Sequence, residues 1–582
     1  MMIRTELSGI IMISLLSIFW MDESRGQSVE ELNNNNISLE YHEVIDIYTQ
    51  LDAKYSNASL QVIGTTDIGR PLHLFVINKH EIFEPADISR ERSRVLYVNN
   101  GIHPGEPDGI DASVRFATAL LENANQLPGN LVVCIVPVFN IGGALNRGCC
   151  SRANQNGPKE YGFRGNARNL DLNRDFIKCE STNTQSLVKS IRAWDPDVFI
   201  DTHVSNGADY QYTMTLLTTQ LDKLGGELSG YLRNSMLPKL YSSMENSGNE
   251  MIPYVNTKMY GSDPRTGLYD YMETPRYASG FCALFGTIAF VTETHMLKPF
   301  NDRVDATLAF LRSVQEYMQE HGADVSKLRK QWKNDFASRS TLALKYTVDS
   351  TKYHRISFKG FESFQKKSPV TDLPQIYYNN KRTYNDSTNY YNYANSSNSV
   401  NVPSYYIIPV AWKEVAEKLK NCGIKVERLE RDVTIEAGIK FVTEYKTVPK
   451  PYEGQYLHSN IKSEMRVEKV RYYKGDYKIS TAQPGVRYIV ETLEPEAEDS
   501  FFAWGYFDGI LQQKEWFSAY VFDGYAEKML KNDKQLKGEF GQMKKNDPDF
   551  AGDAFSQLYF LYKRSPLFER SLNRYPVGMI YK

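Results

Sequence analysis

The stretch that decides the fold is Val95-Leu96-Tyr97-Val98, followed by Asn99-Asn100-Gly101-Ile102-His103-Pro104-Gly105-Glu106-Pro107-Asp108-Gly109. An apolar run bounded by Asn and Gly reads as a buried strand entering a turn. Beyond Asp108-Gly109, Ile110, Val114, Ala117 and Leu121 share one face of a helical pattern. The turn therefore carries a His and a Glu between a strand and a helix. Imidazole nitrogen and carboxylate oxygen are both good zinc ligands, yet two ligands do not make a site.

The flanking sequence repeats the pattern. Towards the N-terminus, a helix is expected over Tyr41 to Tyr55. The runs Leu60 to Ile63 and Leu72 to Ile77, around Asp67-Ile68-Gly69-Arg70-Pro71, then read as a hairpin at a sheet edge. In the other direction, Leu131 to Val138 is a continuous apolar strand, as in a sheet covered on both faces. A helix near Gln185 to Ala193 precedes the strand Val198 to Thr202, which ends at His203. Glu227 to Tyr241 reads as a helix, and the strand Ile288 to Thr292 ends at Glu293. Asn301 is expected to cap a helix with the stripe Val304, Leu308, Leu311 and Val314. Strands alternating with helices indicate an α/β domain with a mostly parallel sheet.

At 582 residues the chain is long enough for two or three domains, and 41% hydrophobic and 13% aromatic residues supply their cores. Lys plus Arg (68) nearly cancels Asp plus Glu (70). No basic excess exists to neutralise phosphates, which argues against nucleic acid as a partner. Arg4, the apolar stretch Ile10 to Trp20 and Ser24-Arg25-Gly26-Gln27 read as a signal peptide over 1–27, giving an exported protein, periplasmic or secreted. No later apolar run reaches membrane-spanning length, so no stable membrane span is expected after cleavage. Cys134 and Cys282 lie in apolar segments and read as buried thiols, whereas Cys149, Cys150 and Cys179 flank one loop region and allow one disulfide. No Cys pair has zinc-ribbon spacing.

Ligands of α/β sheets bind at the carboxyl ends of strands. His103 and Glu106, His203, and Glu293 each follow an apolar strand, so they converge if those strands are neighbours. His103, Glu106 and His203 form a set that leaves zinc an open position, and Glu293 beside it is suited to move a proton. His295 lies close by and competes with Glu293 for that place. The polar, Gly-rich loop from Asn140 to Lys178 holds Arg147, Arg152, Arg164, Arg168 and Arg174. A loop of that length is usually functional. Adjacent Asn173 and Arg174 suit a planar carboxylate, and a second Arg aimed at the scissile carbonyl suits an oxyanion.

Taken together, His103-Pro104-Gly105-Glu106, Asp171-Leu172-Asn173-Arg174, Asp201-Thr202-His203 and the strand-end Glu293 closely resemble the zinc carboxypeptidases of the A, B and D type. The resemblance covers roughly Tyr41 to His321. It implies a mixed sheet sandwiched by helices. It also implies one zinc ion per chain held by His103, Glu106 and His203, with Glu293 as general base. Asn173 and Arg174 would grip the terminal carboxylate of a peptide or protein substrate. Arg164, placed as in the carboxypeptidase D branch, would stabilise the oxyanion, and Asp171 would orient a zinc His. For the Tyr that caps the substrate, Tyr269, Tyr271 and Tyr277 compete, and Tyr271 has the best spacing. The residue that sets side-chain preference would fall near Ala278. No pro-segment is recognisable, as in a branch made active.

These readings divide the chain into a signal peptide (1–27), a catalytic domain (28–330), an irregular Asn/Tyr-rich connection (331–403) and a separate α+β accessory domain (404–582). The connection has a second reading, a tyrosine-lined glycan or peptide surface. The C-terminal half resembles the tails of large bacterial exported members of the family, with Leu493-Glu494-Pro495-Glu496-Ala497-Glu498-Asp499-Ser500 before an aromatic run. Trp504, Tyr506 and Phe507 of that run read as core. The function expected is a zinc metallocarboxypeptidase. The alternatives are a zinc amidase or deacylase on peptidoglycan peptides or acyl-amino acids, and a non-catalytic peptide-binding protein on the same scaffold.

Overall fold

A computed structural model describes residues 27–88, 93–123, 127, 129–259 and 262–581. Residues 1–26, where the signal peptide is expected, lie outside the described residues. The first half is built on the strands β1 (Ala58–Thr65), β2 (Pro71–Ile77), β3 (Arg94–Asn99), β4 (Leu131–Val136), β5 (Val198–Ser205), β6 (Met214–Thr218), β7 (Met251–Pro253), β8 (Leu268–Tyr269) and β9 (Ile288–His295). All but β8 join one mixed sheet in the order β1-β2-β4-β3-β5-β9-β6-β7. The expected hairpin β1–β2 is at its edge, and β4, β3, β5 and β9 run parallel through its centre. β3, β4 and β5 are buried at every position, which is why Val95–Val98, Leu131–Val136 and Val198–Ile200 within them read as apolar runs rather than alternating ones.

Helices Asp108–Glu122 and Phe300–Ser338 pack on each other and on the sheet, and Thr182–Trp194 packs on the β1–β2 hairpin. The first of these starts tight against β5. A Cβ on Gly109 would come within 2.0 Å of the Thr202 hydroxyl, so only glycine lets the helix begin there. Glu227 to Tyr241 is helical, as expected, within Gly226–Tyr231, a π-turn at Leu232–Met236 and Leu237–Asn246. Pro238 lacks the N–H that a continuous helix would use, and the wider turn absorbs the gap. The last helix is capped by Pro299 rather than Asn301 and runs on to Ser338, through the expected boundary at residue 330.

Residues 331–403 are not an irregular connection. After that helix come β10 (Thr341–Val348), β11 (His354–Lys367), β12 (Pro374–Tyr391) and β13 (Ala394–Asn401). β11 pairs with β12 and β10 with β13, and β12 adds to β8 of the first half. β12 and β13 are largely exposed on both faces. With no buried face there is no apolar alternation to read, so Asn, Ser and Thr hid a strand that Tyr and Thr favour.

The remainder forms β14 (Tyr405–Ile408), β15 (Glu427–Arg428), β16 (Val433–Thr447), β17 (His458–Tyr472), β18 (Tyr477–Ser480) and β19 (Gly578–Ile580). They make an antiparallel sheet in the order β15-β18-β14-β19-β16-β17, with helices between and after its strands. This α+β region has its own sheet, yet its apolar residues share one core with the first half. Tyr488 stacks on Phe285 and meets Phe281 edge-on. Trp504 and Phe507 are buried, as read, and Tyr506 packs partly against the same core. Among the described residues no helix is long and apolar enough to cross a membrane.

Candidate active site

The site lies where the chain leaves β3 for β4 on one side and β5 continues on the other, the reversal of strand order at which α/β sheets bind ligands. His103 and Glu106 sit in the turn after β3, and His203 lies in β5. The candidate ligand atoms of these three lie within 4.8 Å of one another, all in buried side chains. Glu293 is directly opposite His203 in the parallel register of β5 and β9, so the two side chains share a face. His295, two residues on, is buried with its Nε2 at the Ala208 carbonyl (3.0 Å), away from the cluster.

The ring orientations test whether a metal fits. Nε2 of His103 is 2.9 Å from Asp171 Oδ1, and Nε2 of His203 is 2.9 Å from Asp201 Oδ2. A carboxylate at Nε2 fixes the proton there and leaves Nδ1 as a lone-pair donor. Both Nδ1 atoms face Glu106, at 3.4 Å and 3.2 Å from its oxygens. Two inward imidazole lone pairs and a carboxylate are the donor set that zinc takes with one position open. The surrounding charge agrees. Burial pushes the Glu293 carboxyl up to about 8, with Glu106 and Glu273 adding to the rise against His203 and Arg152. A dication among three such carboxylates would reverse that balance.

Glu106 itself is held well below the usual carboxylate range: burial raises it, but Arg152 and the two imidazoles outweigh that. His203 is raised well above its usual value, because Asp201 and Glu106 overcome its burial. Burial also raises Asp171, and His103, Arg164 and Arg174 bring it far below the ordinary range.

The other expected residues meet the same cavity, of about 350 Å³. Asn173 and Arg174 line it, on a short turn capped by the Asp171 side chain, which accepts the Asn173 N–H. Asn173 Oδ1 accepts the Ala278 N–H (3.1 Å), which brings in the stretch expected to set side-chain preference. Arg164 lines the cavity but donates through Nε and Nη2 to Asp171 Oδ2, at 3.1 and 2.8 Å. Tyr271 and Tyr277 both line it, their hydroxyls 3.0 Å apart, whereas Tyr269 stacks on Tyr391 of β12.

Four contributors were missed. Arg152 donates to Glu106 Oε1 (2.7 Å) and to the Val204 carbonyl (3.0 Å), so it stands nearer the ligand cluster than Arg164 does. Asp201 was quoted in a motif without a role, although its place two residues before His203 on one strand puts both on the same face. Glu273 lines the cavity at 7% exposure and accepts the Ser279 hydroxyl. Burial raises its carboxyl above the ordinary value, against the opposing charges of His203 and Arg174. Tyr254 is the fourth, also at the wall. Neither Glu273 nor Tyr254 has a sequence signal, since both sit in loops without periodicity.

Of the three cysteines that flank the loop region, two form a disulfide. Cys149 and Cys150 are bonded to each other, while Cys179 is a buried thiol beside Cys422 of the C-terminal region. Cys134 and Cys282 are buried thiols, as read.

A crevice of this topology with two inward imidazoles and a carboxylate offers the donor set that could hold one metal ion. Residues 44–213 match the family model described as zinc carboxypeptidase. The resemblance carried by the motifs therefore stands, over a stretch that includes His103, Glu106, Asn173, Arg174 and His203 and stops before Glu293. Carboxypeptidase 2 of Trichophyton equinum is 20% identical over 427 residues, spanning 70% of this chain and 73% of that protein. Among solved structures, a metallo-carboxypeptidase from Burkholderia cenocepacia is similar at 14% identity and TM-score 0.36, over 49% of this chain and 70% of that one. Carboxypeptidase A from Helicoverpa armigera is similar at 13% identity and TM-score 0.36, over 52% and 76% respectively.

Proposed function

We propose that the protein is an exported zinc-dependent metallocarboxypeptidase that removes C-terminal residues from peptides. The observation that carries this reading is one cavity lined at once by the His103/Glu106/His203 cluster, Glu293 and the Asn173/Arg174 pair. Zinc held by His103, Glu106 and His203 would supply Lewis-acid activation of water and of the scissile carbonyl. Glu293 accepts the proton of the attacking water and delivers it to the amide nitrogen that leaves. Arg174 and Asn173 hold the substrate's free carboxylate, which sets the scissile bond one residue from the end. Arg164 offers its guanidinium to the oxyanion, and Arg152, close to Glu106, adds positive charge at the same wall. Tyr271, with Tyr277 at its hydroxyl, covers the bound residue.

Glu273 extends the reading to side-chain preference. His203 and Arg174 only partly offset the cost of burying this carboxylate, and a cation brought by the substrate would offset more of it. Peptides ending in Lys or Arg are therefore the favoured substrates. Export rests on the N-terminal apolar stretch Ile10 to Trp20.

The test is hydrolysis of a mixed library of short peptides, with and without a C-terminal amide, read by mass spectrometry before and after chelation. Loss of single C-terminal residues, abolished both by amidation and by chelator, is the expected result. Cleavage that tolerates the amide would replace this reading with the amidase or deacylase. No turnover by metal-loaded protein would replace it with the peptide-binding protein.

A further inference from the structure

The loop between β16 and β17 leaves the C-terminal sheet and ends against the turn that carries Asn173 and Arg174. Its tip is a tight turn in which Tyr452 and Gln455 exchange backbone hydrogen bonds. The two central residues, Glu453 (φ 48°) and Gly454 (φ 79°), are both left-handed, as a hairpin turn of this type requires. Glycine takes that conformation freely, whereas Glu, with its Cβ, takes it only under strain. A strained non-glycine residue persists where its surroundings hold it, and here the surroundings belong to the candidate site.

Glu453 accepts the Asp171 N–H at 2.7 Å, and its carbonyl accepts Lys178 Nζ at 3.0 Å. Gln455 donates to Glu180 at 2.7 Å. Tyr452 Oη accepts from Arg174 Nε at 3.1 Å. The Tyr452 ring is in turn stacked on the buried Trp504 (centroids 6.1 Å apart, planes at 19°). Arg276 lies over the Trp504 ring at 5.0 Å and is fixed by Asp499 through Nε at 2.8 Å and through its own N–H at 2.9 Å. Arg174 is thereby held on several sides: Nε by Tyr452, Nη1 by the Asn173 carbonyl (2.8 Å), and its face by the Tyr277 ring (4.2 Å). Tyr452 stands behind the guanidinium and does not line the cavity.

We infer that Tyr452 is a positioning residue for Arg174, and that the C-terminal region serves the reaction by aiming the guanidinium at the substrate's terminal carboxylate. This rests on the reading of Arg174 as the carboxylate grip. A long Arg side chain samples many rotamers, and a fixed partner on Nε leaves the fork pre-organised for a planar anion. The C-terminal region acts in this way on recognition rather than on chemistry.

The experiment compares the full-length zinc-loaded protein with Y452F and R174A on a peptide bearing a free C-terminus. Y452F keeps the ring on Trp504 and removes only the hydroxyl. The expected result is a roughly five- to tenfold rise in KM, the worth of one hydrogen bond, with kcat within about twofold and unchanged thermal unfolding. R174A is expected to raise KM more, and adding Y452F to it is expected to change nothing further. If Y452F leaves KM unchanged or lowers kcat alone, while R174A raises KM, the positioning role is overturned and the carboxypeptidase reading stands. If R174A itself leaves KM unchanged, the carboxylate grip is wrong and the Tyr452 proposal falls with it.

Discussion

The two halves of the molecule reach the same cavity by opposite routes. In the first half, chemistry-bearing residues sit at the ends of buried parallel strands, and backbone register alone sets Glu293 beside His203. In the second, an antiparallel sheet sends out a loop whose tip meets residues nearly three hundred positions earlier, as in the contact of Asp171 with Glu453. Regular structure fixes reacting groups to within hydrogen-bond distance cheaply, because each strand end is already held by its neighbours. A group carried on a loop, such as Arg174, has no such frame, and here the loop of the C-terminal sheet, resting on Trp504, supplies it.

Replacing Glu293 by Gln bears hardest on this division of labour. Hydrolysis is expected to fall by roughly three orders of magnitude, the scale of a general base, while metal content measured by atomic emission stays at one ion per chain. Retained activity would move the chemistry away from β9. The shared core is tested next by Tyr488→Ala. Tyr488 is fully buried between the halves, against Phe281 and Phe285. Its loss is expected to destabilise the protein by about 3 kcal/mol, as for other large aromatic truncations, in a single denaturant transition. Two separated transitions would show that the halves unfold independently.

Glu273→Gln is expected to leave fold and metal content intact and to cut kcat/KM for Lys- and Arg-terminated peptides roughly thirtyfold relative to Leu-terminated ones. An unchanged ratio would remove Glu273 from specificity. The smallest effect is expected where the halves meet at Asp270, which faces Gln220 and the hydroxyl of Tyr390 on β12. Burial raises its carboxyl to about 7. Its folded pKa lies above its unfolded one, so its contribution is complete below about pH 4 and is lost as pH rises towards 7. Asp270→Asn removes this term, so the melting temperature of the variant is expected to gain on wild type across that window. A gap that stays constant with pH would show that Asp270 does not titrate there.

What was legible in the sequence follows the same divide. Val95 to Val98, Val198 to Thr202 and Ile288 to Thr292 were readable because strands buried on both faces must be apolar throughout. Each ended on a residue that does not belong in a core. The competition between Glu293 and His295 was beyond the sequence, since it depends on which residue faces His203 across a register. Arg152 was one of five arginines in a loop, and only contact with Glu106 distinguishes it. Pro374 to Tyr391 could not be read as a strand because neither face is buried, and Tyr452 could not be read as part of the site because no local pattern encodes a contact with Arg174.

The place of β19 has a consequence for timing. Gly578–Ile580 pairs with both β14 and β16, inside the sheet that carries the Tyr452 loop. Synthesis proceeds from the N-terminus, so His103, Glu106, His203 and Glu293 all leave the ribosome long before that strand. A nascent chain can thus bring these four side chains together while the support behind Arg174 is still missing. That strand joins β14 to β16, so the order of translation delays the support behind Arg174 until β19 has been made.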